Sequence, residues 1–454
     1  MKTSIVILTC NKLEYTTLCL GSIRRHTRKD SYELIIVDNG STDGTVEWLR
    51  EQPDIHLVTN DENTGFPAGC NQGMAEAMGD YILLLNNDTV VTSGWLDQLR
   101  RCLCSDERIG AVGPVTNNAS YYTAIPTSYQ SIEEMDIFAK EYNQSDPAKW
   151  EERIKLLGFC LLLKREVFEN IGWLDERFSP GNFEDDDYCV RIRSAGYRLM
   201  LCKDTFIHHF GSASFNENPS AFSNLMAENE KKFTHKWGFN PSYSSYIRTD
   251  ILSFIDRPKD MPFRILEVGC GCGASLLKLK NEYPLVELYG IELNESAACM
   301  AALIANVESG NIETIELTYP EQFFDYIILG DVLEHLYDPW KVLTDISRCL
   351  KEEGNVLASI PNVMHFSLIR NLLNGYWTYR DSGLLDRTHV RFFTFYEICK
   401  LFKEAGFESV ACKLVVLTNT KEDEAFIKEL CQWSHENMRD QYRAYQYLIR
   451  AARK

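Results

Sequence analysis

Four carboxylates stand side by side in Asn182-Phe-Glu-Asp-Asp-Asp-Tyr188, with Arg191 close behind. Within one helical turn such charges repel, so a bound group or raised pKa values must accompany them. A solvated helix N-terminus, which favours acids, is the plain alternative. Downstream, Ile207-His-His-Phe-Gly-Ser-Ala-Ser214 offers His208 and His209 as proton carriers or metal ligands. Two more acids follow apolar stretches. Asp38 opens Asp38-Asn-Gly-Ser-Thr-Asp-Gly44, where an acid can accept hydrogen bonds from a ribose or a base, although a turn capped by Ser41 or Thr42 reads the same. Asp88 ends Asn86-Asn-Asp88, where a hard divalent cation, Mg2+ or Mn2+, could bridge two phosphates. Between them, Asn63-Thr-Gly-Phe-Pro-Ala-Gly-Cys-Asn71 supplies glycines and amides for close backbone approach to a ligand.

A second set begins with Glu267-Val-Gly-Cys-Gly-Cys-Gly273. Gly269, Gly271 and Gly273 let the backbone approach a cofactor, and the spacing alone serves a nicotinamide, a flavin or a methyl donor. Gly290-Ile-Glu292 then places an acid where ribose hydroxyls can donate to it. Further on lies Phe324-Asp-Tyr-Ile-Ile-Leu-Gly-Asp-Val-Leu-Glu-His-Leu-Tyr-Asp-Pro339, which contains Asp331 and His335.

These residues need elements to hold them. Strands at Ile5–Leu8, Glu33–Val37, His56–Val58 and Tyr81–Leu85 alternate with helices around Tyr15–Arg25, Thr45–Arg50 and Ala68–Ala77, which implies a parallel sheet covered by helices. Near Tyr243–Asp260 the pattern lapses into Ser, Tyr, Asp and Pro, and a domain boundary is expected there. A second alternation follows, with strands Arg264–Val268, Glu287–Ile291, Tyr326–Leu329 and Asn355–Ile360 and helices Ala274–Asn281, Ser296–Ala305 and Pro339–Leu350. The fold class is α/β. The expected division is residues 1–245, a linker over 246–260, a domain over 261–418, and a helical tail over 419–454.

Length and composition agree with two such domains. The chain has 454 residues, 45% hydrophobic and 25% charged, which suits folded domains and excludes a disordered or collagen-like chain. With 47 Lys+Arg against 65 Asp+Glu, the net charge of −18 offers no broad basic face, so nucleic acid is not expected as a partner. The 15 cysteines are odd in number and scattered, and neither Cys102/Cys104 nor Cys270/Cys272 has zinc-knuckle spacing. They read as small buried hydrophobes in a reducing, cytoplasmic setting. The apolar run around Leu156–Leu163 is too short to span a bilayer, and Ser4–Leu8 reads as a first strand rather than a signal peptide.

Over residues 1–240 the chain resembles a family 2 glycosyltransferase of the GT-A fold. Asp38-Asn-Gly-Ser, Asn86-Asn-Asp88, Gly172-Trp-Leu-Asp-Glu-Arg177, Glu184-Asp-Asp-Asp187, and His209 with Gly211 occur in that family's order. The resemblance implies inverting, metal-dependent transfer of a sugar from a nucleoside diphosphate. By it, Asp38, Asn63, Gly65, Asn87 and Asp88 bind the nucleotide sugar, and Asp88 and His209, or His208 if the register slips, hold the metal. Asp185 is the general base and Glu184 orients the acceptor. Asn86 stands where the family's metal motif usually begins with Asp, which leaves fewer anionic ligands for Mn2+ or Mg2+.

Over about residues 261–415 the chain resembles a class I S-adenosylmethionine-dependent methyltransferase, on Glu267, the glycine loop and the Phe324–Pro339 run. Gly383-Leu-Leu-Asp-Arg-Thr-His-Val-Arg-Phe-Phe-Thr394 resembles a segment of the subgroup joined to sugar-modifying enzymes. By that resemblance Glu267, Gly269, Gly271 and Gly273 line S-adenosylmethionine, Glu292 holds its ribose and Asp331 lies near its methionine side. His335 and His389 are candidate bases for a sugar hydroxyl, though structural roles suit both.

The combined reading is a bifunctional enzyme acting on a glycan, lipid-linked glycan or glycoprotein. The alternative is one catalytic half and one binding module. Residues Arg439–Lys454 carry five basic residues and one acid. A helix packed on the second domain is expected there, with peripheral contact to the inner face of a membrane as the other reading.

Overall fold

The computed structural model describes residues 1–211 and 219–453. They form two compact units that divide between Ser242 and Tyr243.

Ten strands build the first unit: β1 (Thr3–Thr9), β2 (Tyr32–Asn39), β3 (Ile55–Asn60), β4 (Tyr81–Asn86), β5 (Thr89–Val90), β6 (Ile109–Val115), β7 (Trp150–Arg153), β8 (Cys160–Lys164), β9 (Arg198–Phe206) and β10 (His208–His209). Eight of them lie in the order β3-β2-β1-β4-β8-β6-β9-β7, while β5 and β10 pair separately. The first four are parallel as expected; β8 runs antiparallel to both β4 and β6, and β7 to β9. Alternation along the strands feeds two apolar layers. Ile5, Ile7, Ile36, Leu83 and Leu85 face one, and Val6, Ile35, Ile82 and Leu84 face the other. Burial on both faces explains why these strands read as continuous apolar runs.

The strand order turns back at β1, which pairs with β2 on one side and β4 on the other. Ligands of open α/β sheets bind beyond the carboxyl ends of strands at such a reversal. Asp38 stands near the end of β2 and Asp88 just past β4. The acidic run opens the Glu184–Ser194 helix after Asn182 and Phe183, both with φ of 73°. Asn229, from the Pro219–Trp237 helix, fixes that entry by donating to the carbonyls of Phe178, Gly181 and Asn182 at 2.8, 2.9 and 3.2 Å.

The second unit holds β11 (Phe263–Val268), β12 (Val286–Glu292), β13 (Asn306–Ser309), β14 (Phe324–Gly330), β15 (Leu350–Pro361), β16 (Phe407–Val416) and β17 (Ala444–Arg453), ordered β13-β12-β11-β14-β15-β17-β16. It reverses between β11 and β14, and its last two strands are antiparallel. One core joins Leu266, Ile327, Leu329 and Val356 of the sheet to Val342, Leu343 and Ile346 of the Pro339–Cys349 helix.

Two expectations change here. The stretch expected as a linker, 246–260, belongs to the second unit, because Ile251 is fully buried and Thr249–Leu252 is helical. The tail is helical over Lys421–Trp433 and Arg439–Arg443, but Ala444–Arg453 is a strand between β15 and β16. Tyr447, Ile449 and Ala451, spaced by two, are fully buried in the core. Arg439 and Arg443 pair with Glu424, and Arg450 pairs with Asp256. Among the described residues no helix is long and apolar enough to cross a membrane.

Candidate active sites

In the first unit Asp38 is fully buried; Oδ1 accepts from the Ser41 amide at 2.9 Å, and Oδ2 has no partner. A buried carboxylate oxygen left free at a sheet reversal suits a hydroxyl or N–H of a ligand. Asn63 shapes the neighbouring loop, its Oδ1 accepting from the Gly65 amide and from Asn39 Nδ2, both at 2.9 Å. Gly65 is required there, since its φ is +89° and a Cβ would lie 2.9 Å from Ser179 Oγ. Asn87 is not brought to this site in the same sense: its amide donates to Thr9 and Thr16 hydroxyls at 3.2 and 3.1 Å, so it ties β1 to the loop after β4.

His209 Nε2 lies 3.3 Å from Asp88 Oδ1. Its Nδ1 lies 2.9 Å from the Asn118 carbonyl, which only accepts, so the proton of the neutral ring sits on Nδ1 and Nε2 turns a lone pair to the carboxylate. Two facing lone pairs need a proton or a cation between them. Burial opposes charge on His209, but Asp88 and the Asn118 bond outweigh it and raise its pKa. One imidazole and one carboxylate fit Mn2+ or a similar ion. His208, the alternative ligand, takes its own course as the next residue of a strand: its Nδ1 meets the Tyr129 hydroxyl at 2.7 Å, and burial lowers its pKa to about 4. Ser212–Ser214 of this motif lie outside the described residues.

The four carboxylates divide their work. Asp187, fully buried, pairs with Arg191 at 2.9 Å, with Lys236, and with Trp237 Nε1 at 2.9 Å. Asp186 pairs with Lys155 at 2.7 Å. Glu184 and Asp185 remain without a cation of their own. Asp185 accepts from the amides of Gly158 and Asp186, each at 2.9 Å, while buried Glu184 Oε2 has no partner. Burial and the Asp185 charge push Glu184 well above the carboxylate range. Burial and Asp186, opposed by Lys155, place Asp185 at about 6. Both carboxyls are thus pushed upward, Glu184 the further of the two, which favours a proton donor at Glu184 and a base at Asp185. Gly172–Arg177 is a buttress: Asp175 pairs with Arg177 and Lys236, and Glu176 accepts from Asn71 at 2.9 Å.

In the second unit a cavity of about 780 Å3 is lined by Gly269, Glu292, Asn311, Asp331, His335 and Tyr337, among others. Gly271 has a φ of +54°, and a Cβ there would be strained and would crowd Ser244 Cα and O at 3.1 Å. Its amide donates to Glu292 Oε2 at 2.8 Å, and Asn294 N donates to Oε1 at 2.8 Å, so the acid that ends β12 braces the loop after β11. Gly273 caps the Ala274–Glu282 helix. Glu267 is buried with Oε2 unpartnered, and burial moves it to about 8. A glycine cradle, a braced acid and an unsatisfied carboxylate fit a positively charged, ribose-bearing cofactor such as S-adenosylmethionine. Asp331 lines the cavity but is engaged, by Arg248 at 2.5 Å, by Ser359 at 2.8 Å and by Gln446. His335 and His389 stand together, ring centroids 4.8 Å apart.

Comparison with known proteins finds a match in each unit. Residues 4–172 match Glycosyl transferase family 2, and residues 238–411 match a methyltransferase domain. A Bacillus subtilis protein, the uncharacterized glycosyltransferase YwdF, is 31% identical over 234 residues, 48% of this chain and 78% of YwdF. The chain belongs to glycosyl transferase family 2, with a methyltransferase domain behind it. The chain is also similar to the O-antigen biosynthesis protein RfbC of Myxococcus xanthus, 28% identical over 47% of this chain and 18% of RfbC. It spans a quarter or less of the first two curated relatives it matches. Over 52% of its length it resembles the solved SAM-dependent methyltransferase of Thermotoga maritima described as a possible histamine N-methyltransferase, at 18% identity, 99% coverage of that chain and a TM-score of 0.33.

Several residues around the two sites carry no signal in the sequence. Phe159 stacks on His209 with centroids 5.0 Å apart, next to Gly158 on Asp185, so the loop before β8 touches both groups. Lys155 and Arg248 answer Asp186 and Asp331 across 31 and 83 residues. Only contact in space reveals them.

Proposed function

We propose that the first unit transfers a sugar, with inversion, from a nucleoside diphosphate to a glycan-type acceptor, and that the second methylates a hydroxyl of that sugar or a related acceptor. The observation that carries the reading is that two sheet reversals in one chain each hold a buried carboxylate oxygen without a partner, Asp38 Oδ2 in one and Glu267 Oε2 in the other, with Asp88 and His209 facing each other at 3.3 Å in the first unit.

Asp38 and the Asn63–Gly65 loop bind the nucleoside, and Asp88 with His209 holds a divalent cation. When bound, that cation offsets charge on the departing diphosphate. Asp185 takes the proton of the acceptor hydroxyl as the oxygen attacks the anomeric carbon. Glu184, protonated, donates a hydrogen bond that orients the acceptor. In the second unit Glu292 and the glycine loop hold S-adenosylmethionine, whose sulfonium is already an activated leaving group. Alignment of the acceptor beside it is then the main demand on the protein. Covalent linkage of the two units raises the concentration of one product near the second site.

The test is turnover of a panel of nucleoside diphosphate sugars with Mn2+. Release of the nucleoside diphosphate that stops on chelation, with an inverted anomeric signal in the NMR spectrum of the product, is expected. Retained configuration, or turnover indifferent to chelator, would refute the mechanism.

A further inference from the structure

Three side chains with no settled task stand together beside the second unit's cavity. One donor atom from each of Glu334, His335 and His389 lies within 4.8 Å of the other two. Glu334 is 1% exposed, and neither of its carboxylate oxygens has a hydrogen-bond partner. A buried carboxylate in that condition is costly until something positive meets it. Its backbone carbonyl is by contrast doubly engaged. The Glu334 carbonyl accepts from the amides of Val390 and Arg391 at 2.9 and 3.0 Å, which fastens the loop carrying His389 across the turn carrying Glu334 and His335.

Both imidazoles are oriented alike. His335 Nδ1 lies 3.2 Å from the Thr388 carbonyl, and His389 Nδ1 lies 3.3 Å from the Leu384 carbonyl. A carbonyl only accepts, so in each neutral ring Nδ1 carries the proton and Nε2 presents a lone pair. Outer carbonyls that fix the tautomer in this way prepare a histidine to ligate metal. His335 also lines the cavity that holds Gly269 and Glu292.

We propose that Glu334, His335 and His389 bind a divalent cation at this cavity, and that its open positions take an oxygen of the acceptor to be methylated. The proposal rests on the methyl-transfer reading above. One carboxylate and two imidazoles suit Zn2+, Mn2+, Fe2+ or Co2+ better than Mg2+ or Ca2+. Bonds of about 2.0–2.2 Å require the donors to draw closer than they stand, a shift within the reach of side-chain rotation. Three protein ligands leave room for one or more from the substrate. A hydroxyl on such an ion loses its proton more readily. The proton passes to water, the oxygen's electron pair forms the O–CH3 bond, and the S–CH3 pair stays on sulfur, which leaves as a neutral thioether. His335 and His389 are then ligands rather than bases.

The test uses the full-length chain carrying Asp88→Ala and His209→Ala, which removes the cation site proposed for the first unit. Equilibrium dialysis against Zn2+, and separately Mn2+, counts bound metal. One equivalent per chain is expected. His335→Asn and His389→Asn, added together, keep an amide donor near each Nδ1–H and remove both Nε2 lone pairs; bound metal then falls by about tenfold or more at the same free concentration. Should that variant unfold by circular dichroism, Glu334→Gln serves in its place, read as loss of the cation-induced rise in melting temperature. No bound metal in the parent, or equal binding by the Asn and Gln variants, overturns the site. S-adenosylmethionine binding on the same samples judges the cofactor reading separately: cation bound without that cofactor overturns the methyl-transfer role, and cofactor bound without cation overturns the metal.

Discussion

Asp185 is distinguished from its three acidic neighbours by what each one touches. Asp187 and Asp186 have cations, Glu184 is pushed well above the carboxylate range by burial, and Asp185 has two amide donors and a pKa raised to about 6. As a general base it must be ionised, so sugar transfer should fall as pH drops through about 6. Asp185→Asn should lower kcat by about 10^2-fold or more while leaving nucleotide binding intact, measured by initial rates and calorimetry. The same shift carries a stability effect of definite sign. A carboxyl raised in the folded state binds its proton more tightly there than when unfolded, so its contribution is full below the ordinary carboxylate range and is lost as pH rises through 6. Asp185→Asn should therefore melt higher than wild type at pH 7 and equally at pH 4. The sequence made the acidic run conspicuous but could not divide it, because Lys155, Lys236 and Gly158 lie 27 to 49 positions along the chain from the acids they meet. Asn87 shows the converse: its place beside Asp88 suggests a ligand-binding amide, while its side chain is spent on Thr9 and Thr16.

At the scale of elements, the Pro219–Trp237 helix sets the Asp185 turn. Asn229 satisfies three carbonyls of the Phe178–Asn182 loop, and Lys236 and Trp237 engage Asp187. Asn229→Ala leaves those buried acceptors without a donor, which costs about 1–3 kcal/mol, read in urea denaturation of the first unit. Because the turn is loosened rather than the nucleotide site, kcat should drop with little change in the affinity for nucleoside diphosphate. The alternating strands and helices that lead to each site were legible from apolar runs and glycine turns. The last strand was hidden. Tyr447, Ile449 and Ala451 do recur at strand spacing, but Arg439, Arg443, Arg450 and Arg453 in the same stretch resemble the polar face of a surface helix. What decides for a strand is an open place between β15 and β16, set by residues tens of positions earlier.

At the scale of the molecule, the net charge of −18 sits with ligands that carry phosphate, because neither proposed site depends on a basic surface. In the first unit a cation held by Asp88 and His209 meets the diphosphate; in the second, acids and backbone groups meet a cofactor that is itself positive. The two sites lie in different compact units and share no residue, so each should fail alone. The most direct measurement is calorimetry on the full-length chain with a panel of nucleoside diphosphates in Mn2+ and with S-adenosylmethionine. Wild type should bind one of each, the first ligand leaving the second's stoichiometry unchanged. Asp88→Ala should lose only the nucleoside diphosphate, and Gly271→Val only S-adenosylmethionine. Wild type that binds neither ligand, or either ligand alone, or a single substitution that abolishes both, would contradict a two-site enzyme.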